Sequence, residues 1–355
     1  MDRTIRKNKS RKSAAASGSS SGNSIWSPPA DDRFSMLRVF ENHELMPDEW
    51  KDAAGVVRTF NPGLVRDGTG WLLAFRIVSE PGLRRRIAMC RLDDKLRVVA
   101  GSVVPWSDWI HFPRPQDFAP EASVWFADPR LYRLAGRQFV HWNSGWHEPQ
   151  NHQFLQEIDD RTLRPIGPPR EFRLRGQRQK LEKNWTFFER DGLHAVYSIN
   201  PHRILTFAVS GAGPIVFADF GQVVPNPDGF AQVHGGLRGG APPQILGRHF
   251  YSFCHSVENG NDGYRYVPSV YRFSAMKPFA PTDMPVRSLS IELPGSSRRA
   301  MPKLNPAVSD VLYPAGAARD GDQWLLSFGI DDERCAIARL SNHDVEQTLA
   351  PVTRA

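Results

Sequence analysis

Three kinds of residue in this 355-residue chain could do chemistry together: carboxylates beside prolines, amides at tight turns, and a few arginines and lysines. The run Val124-Trp125-Phe126-Ala127-Asp128-Pro129-Arg130-Leu131-Tyr132 is the sharpest case. Pro129 donates no backbone hydrogen bond, so a strand ladder must break there. Asp128 then projects from the strand end, with the Arg130 guanidinium two residues away to orient it or to bind a substrate. Taken alone, the hexapeptide Ala127-Asp128-Pro129-Arg130-Leu131-Tyr132 also fits an Asp-Pro turn with a surface ion pair,.

Companion turns decide between these readings. They are Phe60-Asn61-Pro62-Gly63, Glu182-Lys183-Asn184-Trp185, Gly239-Gly240-Ala241-Pro242-Pro243 and Tyr313-Pro314-Ala315-Gly316. Converging on one place, they would gather Asn61, Arg76, Asp128, Arg130, Glu182, Lys183, Asn184, His255, Asp331 and Asp332, with Trp and Tyr as walls. Carboxylates, amides, arginines and aromatic faces are what a sugar site needs, because hydroxyls take paired hydrogen bonds and apolar sugar faces pack on rings. Cleaving a glycosidic bond needs an acid for the leaving oxygen plus a base that activates water or a delivered nucleophile. Glu182 and Asp331 are the candidate bases.

The elements that must position these residues read as short strands. From about residue 55, runs such as Trp71-Leu72-Leu73-Ala74-Phe75-Arg76, His249-Phe250-Tyr251-Ser252-Phe253-Cys254 and Gln323-Trp324-Leu325-Leu326-Ser327-Phe328 alternate with Gly, Pro, Asp and Asn. Asp67-Gly68, Asp191-Gly192, Asp228-Gly229, Asp262-Gly263 and Asp320-Gly321 are hairpin signals,. No helix of ten or more residues is expected. Pro62, Pro129, Asn184, Gly240 and Gly316 follow one another at 67, 55, 56 and 76 residues. Five units of that size fit an all-β, five-bladed β-propeller spanning 31–345, and a β-sandwich with long loops is the competing architecture. Residues 1–30 read as a disordered, basic, Ser/Gly-rich tail and 346–355 as a C-terminal tail.

Composition narrows the partners. Six basic residues against Asp2 in the first dozen positions carry +5 of the formal +7, leaving +2 for everything else. A nearly neutral body needs no extended phosphate-binding face, so no specific nucleic acid is expected. The basic start runs into Ser13-Ala14-Ala15-Ala16-Ser17-Gly18, not an apolar stretch, and no window approaches a membrane span,. Cys90, Cys254 and Cys335 stand far apart in apolar stretches and read as buried thiols of a cytoplasmic protein,. Homo-oligomerisation is left open.

Several other residues invite a functional reading. His141 and His147 flank Trp142-Asn143-Ser144-Gly145-Trp146, which could equally line an acceptor or pack between strands. Pro201-His202-Arg203 reads as an exposed turn. Arg173, Arg175, Arg178 and Lys180 precede Lys183 in a basic run that reads as a solvated face. His234 and His255 are plausible pocket residues, but the histidines lack metal-ligand spacing. Gly235-Gly236-Leu237-Arg238-Gly239-Gly240 lacks the helix that a nucleotide-binding loop requires, so no metal or cofactor is expected.

The ordered set Phe60-Asn61-Pro62, Leu73-Ala74-Phe75-Arg76, Ala127-Asp128-Pro129-Arg130, Glu182-Lys183-Asn184-Trp185, Gly239-Gly240-Ala241-Pro242-Pro243 and Tyr313-Pro314-Ala315-Gly316 through Phe328-Gly329-Ile330-Asp331-Asp332 resembles glycoside hydrolase family 130. That family holds mannoside phosphorylases and β-mannosidases, and the set also resembles the neighbouring β-1,2-mannosyltransferase/phosphorylase family. The resemblance covers about residues 55–340 and implies a five-bladed propeller and inversion at the anomeric carbon. It makes Asp128 the general acid, acting in the phosphorylases through a sugar hydroxyl, and places Asn61, Arg76 and Asp332 around the non-reducing sugar. Inorganic phosphate or a sugar phosphate is the implied co-substrate. Phosphorolysis or its reverse is favoured over hydrolysis. One departure stands out: Ala127 occupies the position of the family's Glu, which leaves open an altered donor or acceptor, a transferase, or a catalytically silent glycan-binding propeller.

Overall fold

Almost every element is a strand that doubles back on the one before it. The computed structural model describes residues 36–53, 55, 57–80, 82–118, 120–144, 151–176, 181–209, 213–220, 229–260, 263–293 and 301–352, all within one compact unit, Phe34–Ala355. The expected 1–30 tail lies outside the described residues.

After β1 (Met36–Val39), a first antiparallel meander runs through β2 (Val57–Asp67), β3 (Gly70–Ser79) and β4 (Arg84–Leu92). The second is β5 (Ala127–Leu134), β6 (Arg137–Asn143), β7 (Gln153–Ile158) and β8 (Pro165–Leu174). The third is β9 (Thr186–Glu189), β10 (Leu193–Ser198), β11 (Arg203–Val209) and β12 (Ile215–Asp219). Helix α1 (Gly229–His234) leads to the fourth: β13 (Arg238–Gly239), β14 (Gln244–Leu246), β15 (His249–Gly260), β16 (Gly263–Ser274) and β17 (Pro281–Pro285). The fifth is β18 (Val308–Asp320), β19 (Gln323–Ile330) and β20 (Arg334–Ser341), followed by α2 (Asn342–Glu346) and β21 (Leu349–Pro351).

Five separate sheets were the expectation, but hydrogen bonding joins these meanders into three. Parallel pairing of β8 with β12 makes an eight-stranded sheet, and the long β15–β16 hairpin reaches β18 to make a ten-stranded one. The chain ends close the circuit, because β1 pairs with β20 and β21 with β17. The segment expected to be a C-terminal tail is therefore a structural strand as far as Pro351. Neighbouring meanders stand side by side: β2 touches β18 and β5, β5 touches β9, β10 touches β13, and β15 touches β18.

Local chemistry explains the meanders. Gly68, Gly136 and Gly321 take positive φ in the tight connections β2–β3, β5–β6 and β18–β19, as hairpin turns require,. Asp228 and Asp262 fall outside the described residues, and Gly229 opens α1 instead of a hairpin. Strands β3 and β19 are buried along nearly their whole length, on both faces, which is why they read as apolar runs rather than alternating ones,. Trp71, Trp106, Trp142, Trp185 and Trp324 fill the spaces between meanders. All three cysteines are buried, and none is joined in a disulfide.

Candidate functional site

Asn61, Asp128 and Asn184 share one unusual backbone state. Their φ angles are 53°, 52° and 64°, a left-handed region that Asn and Asp tolerate better than most residues,. Asn61 and Asp128 sit in bulges where the pairing register slips, between Phe60 and Gly63 and between Ala127 and Arg130,. The following proline releases the ladder, and the bulge turns each side chain off the strand. The fifth meander slips likewise between Pro314 and Gly316, and Gly240 lies against the Phe253 and Pro314 carbonyls where no Cβ fits. The five turns meet.

Asp128 is the hub. Its Oδ1 accepts from Asn61 Nδ2 at 2.9 Å and faces Arg76 Nη1 at 3.5 Å, and its Oδ2 accepts from Asn143 Nδ2 at 3.4 Å. Burial alone would raise its pKa. Arg76, Arg130, Asn61 and Lys183 outweigh that effect and hold the carboxyl below the usual range,. Arg130 lies beneath, 1% exposed. Its Nε donates to the Gly240 carbonyl and one Nη to the Tyr313 hydroxyl at 2.6 Å, with Asn184 Oδ1 at 3.5 Å, while its Nη1 is buried without a partner. Arg130 therefore ties four turns together and acts on Asp128 through its charge.

Two sides flank the hub. On one, His255 is buried between Tyr266 and Tyr313 at centroid distances of 5.3 and 4.8 Å. Burial, then Arg238, Lys183 and Arg130, push its pKa well down, so the ring is neutral. Burial and the same crowd of cations lower Lys183, with Asp128 opposing. On the other side, burial raises Asp332 to about 6, with Asp128 and Asp331 adding to the effect and Arg76 and Arg58 opposing it. A small depression beside it is lined by Lys303, Asn305, Val308, Val311, Asp331 and Asp332.

The candidate bases are engaged elsewhere. Asp331 accepts from Val311 N at 2.9 Å and pins the start of β18. Glu182 is 3% exposed and accepts from Trp185 Nε1 and Tyr197 Oη at 3.2 and 3.3 Å. His141 is packing: it contacts Gln153 and the rings of Tyr132 and Phe187, and Trp142 stacks on Phe154. His202 corrects the exposed-turn reading, because its ring is buried against Tyr271 and Phe273 and meets the Phe279 carbonyl at 3.0 Å. His234 pairs with Glu258 and Arg173 with Glu171. His147, Arg178 and Lys180 lie outside the described residues. Among the described residues, no group of three or more His, Cys, Asp or Glu could hold a metal, and no helix is long and apolar enough to cross a membrane.

Sequence reasoning missed Asn143, Tyr266, Arg238 and Arg85 as site residues, and Tyr313 beyond its place in a motif. Asn143 faces Ala127 across the β5–β6 pair and bonds both the Ala127 carbonyl and the acid, a contact visible only once the register is known.

No family model and no curated protein matches the sequence. Solved structures do match. A protein from Bacteroides thetaiotaomicron aligns at TM-score 0.62 and 15% identity, over 87% of this chain and 97% of its own. The β-1,2-mannobiose phosphorylase of Listeria innocua, in complex with β-1,2-mannobiose, aligns at 0.58 and 13%, over 87% and 98%. A third structure comes from work on glycoside hydrolase family 130, the mannoside phosphorylases, and its hydrolases that target β-1,2-mannosidic linkages in Candida mannan. It aligns at 0.56 and 11%, over 93% and 98%. The resemblance read from the motifs thus meets solved members of that family at the level of fold.

Proposed function

We propose that this protein is an inverting carbohydrate-active enzyme on a five-bladed β-propeller, transferring a mannosyl group by phosphorolysis of a β-mannoside or by the reverse reaction. The observation that carries this reading is the Asp128 carboxylate at the meeting point of five turns, held by Asn61 and facing Arg76, while the candidate water-activating bases Glu182 and Asp331 are tied into the scaffold.

In phosphorolysis, a phosphate oxygen forms a bond to the anomeric carbon as the glycosidic C–O bond breaks on the opposite face. The leaving oxygen takes a proton supplied by Asp128, directly or through a sugar hydroxyl. The proton that phosphate gives up on becoming an ester restores the acid. Lys183, Arg238 and neutral His255 form the side of the pocket suited to an anion, and Asn61, Arg76 and Asp332 the side suited to the sugar,. Arg76, Arg130 and Lys183 favour the ionised form of Asp128. A phosphate dianion beside Lys183 offsets that field and favours protonation of Asp128, so the co-substrate arms the acid.

A panel of mannobioses with and without phosphate, plus GDP-mannose as donor, tests the reading. Mannose 1-phosphate formed only with phosphate supports it. Free mannose without phosphate makes the protein a hydrolase, and silence with retained binding makes it a glycan-binding propeller. Asp128→Asn should lower turnover by several orders of magnitude while sugar binding survives.

A further inference from the structure

Arg84, Arg85 and Arg86 are consecutive in β4 and so alternate between faces,. Arg84 faces Asp108 at 3.6 Å, and Arg86 lies 3.7 Å over the Trp50 ring, whose indole N–H donates to the same Asp108. Those two have a structural purpose on one face. Arg85 is turned the other way. Its guanidinium lies over the half-buried Trp125 ring, with Cζ 3.7 Å from the ring centroid, in the run that leads into Asp128. The Arg85 carbonyl accepts from Phe126 N at 3.3 Å, fixing this edge of the first meander to the approach of β5.

Among the described residues, no carboxylate pairs with Arg85, and its one hydrogen bond runs from Nη1 to the Leu83 carbonyl at 3.2 Å. Its charge is nevertheless felt in the pocket: Arg76, Asp332 and Asp128 are the charges that act on it. Stacked on Trp125 and tied to Phe126, two residues before Asp128, Arg85 is therefore a further positive group beside Asp128 and Asp332. Leu83 and Val124, 43% and 59% exposed, flank it at the rim. A guanidinium clamped to an indole loses little freedom on binding and presents planar donors suited to a carboxylate or phosphate.

We propose that Arg85, backed by Trp125, forms a subsite for an anionic substituent on the glycoside, a carboxylate or a phosphate ester carried by the sugar unit on the Asp332 side. This rests on the glycoside reading above and adds the substrate's charge to it. A neutral mannoside would leave this half-buried guanidinium with only the Leu83 carbonyl and the Trp125 ring, whereas an anionic one adds a charged acceptor,.

Calorimetric binding in phosphate-free buffer tests this with three matched ligands: β-1,2-mannobiose, its analogue with mannuronic acid at the non-reducing end, and its analogue with a 6-phosphate there. The wild-type chain should bind at least one anionic ligand about tenfold or more tighter than the neutral one. Which one it prefers identifies the source of the charge. Arg85→Ala should collapse the ratio towards one, and Arg85→Lys should retain part of it; a merely structural loss would weaken all three ligands and leave the ratio alone. Equal binding of the three ligands by the wild type, a ratio that survives Arg85→Ala, or no binding of any overturns the proposal. Turnover is read separately: charge-selective binding with no turnover in either buffer sinks the enzymatic reading and spares this one.

Discussion

Replacing Gly329 by alanine should disable the site from behind. Gly329 lies in β19, paired with Tyr313 and Cys335, and its Cα faces the Asn61 bulge. A Cβ there would stand 2.2 Å from Asn61 Oδ1 and 2.9 Å from Asn61 N, against an ordinary contact of 3.4 Å or more. The amide must therefore retreat by about 1.2 Å, the difference between 3.4 and 2.2 Å. Asn61 Nδ2 holds Asp128 at 2.9 Å, so a displacement of that size either breaks the bond or pushes the Asp128 carboxyl with it,. Misplacing a catalytic group by about 1 Å costs roughly 10²-fold in rate, and overpacking a core costs about 1–3 kcal/mol, within the stability of an ordinary domain. Gly329→Ala should thus remain folded, with a lower Tm, and lose about 10²-fold in kcat/KM on whichever glycoside the wild type turns over. In an Asn61→Ala background the same change should cost little more activity. Activity within about threefold of wild type, or losses that simply add in the double variant, would refute the reasoning.

Asp332→Asn should trade function for stability. Its carboxyl binds a proton more tightly in the folded chain, so its contribution to folding is fully present below about 3.8 and is lost as pH rises through about 6,. That displacement is worth at most about 3 kcal/mol. The variant should therefore melt higher than wild type at pH 8, but not at pH 4, while binding sugar more weakly; an unchanged Tm difference between the two pH values would count against the shift. Asn143→Ala removes a donor from the ionised form of Asp128, so the limb of the pH–rate profile set by that acid should move to higher pH,. A lower rate with an unmoved profile would reduce Asn143 to packing.

Much of the site was legible because its signals are local. Asp128-Pro129 and Asn61-Pro62 announce a broken ladder and a residue able to take positive φ, and both occur. Arg76 and Asp332 were readable only by motif, since nothing local tells that residues 76, 128 and 332 meet. His202 misled because Asn200-Pro201 signals a turn, while its burial comes from Phe279 and the β16 rings, far along the chain. Asn143 was hidden inside Trp142-Asn143-Ser144, whose Trp attracted the functional reading while pointing into the packing. Pairings such as β1 with β20 and β8 with β12 join distant segments, and no local propensity encodes them.

The way the chain ends are tucked in has a temporal consequence. Strand β1, made first, finds its partner only in β20, and β17 waits for β21. Asn61 and Arg76 come from the first meander, Asp128 from the second, Lys183 from the approach to the third, His255 from the fourth and Asp332 from the fifth. A growing chain therefore holds its acid long before it holds the far wall of the pocket. Until β20 docks, β1 lacks that partner, and until the β19–β20 turn is made Asp332 is missing from the charges around Asp128. On the glycoside reading, turnover would wait for Asp332 and for the docking of β20 on β1, so its appearance would report that docking in the newly made protein.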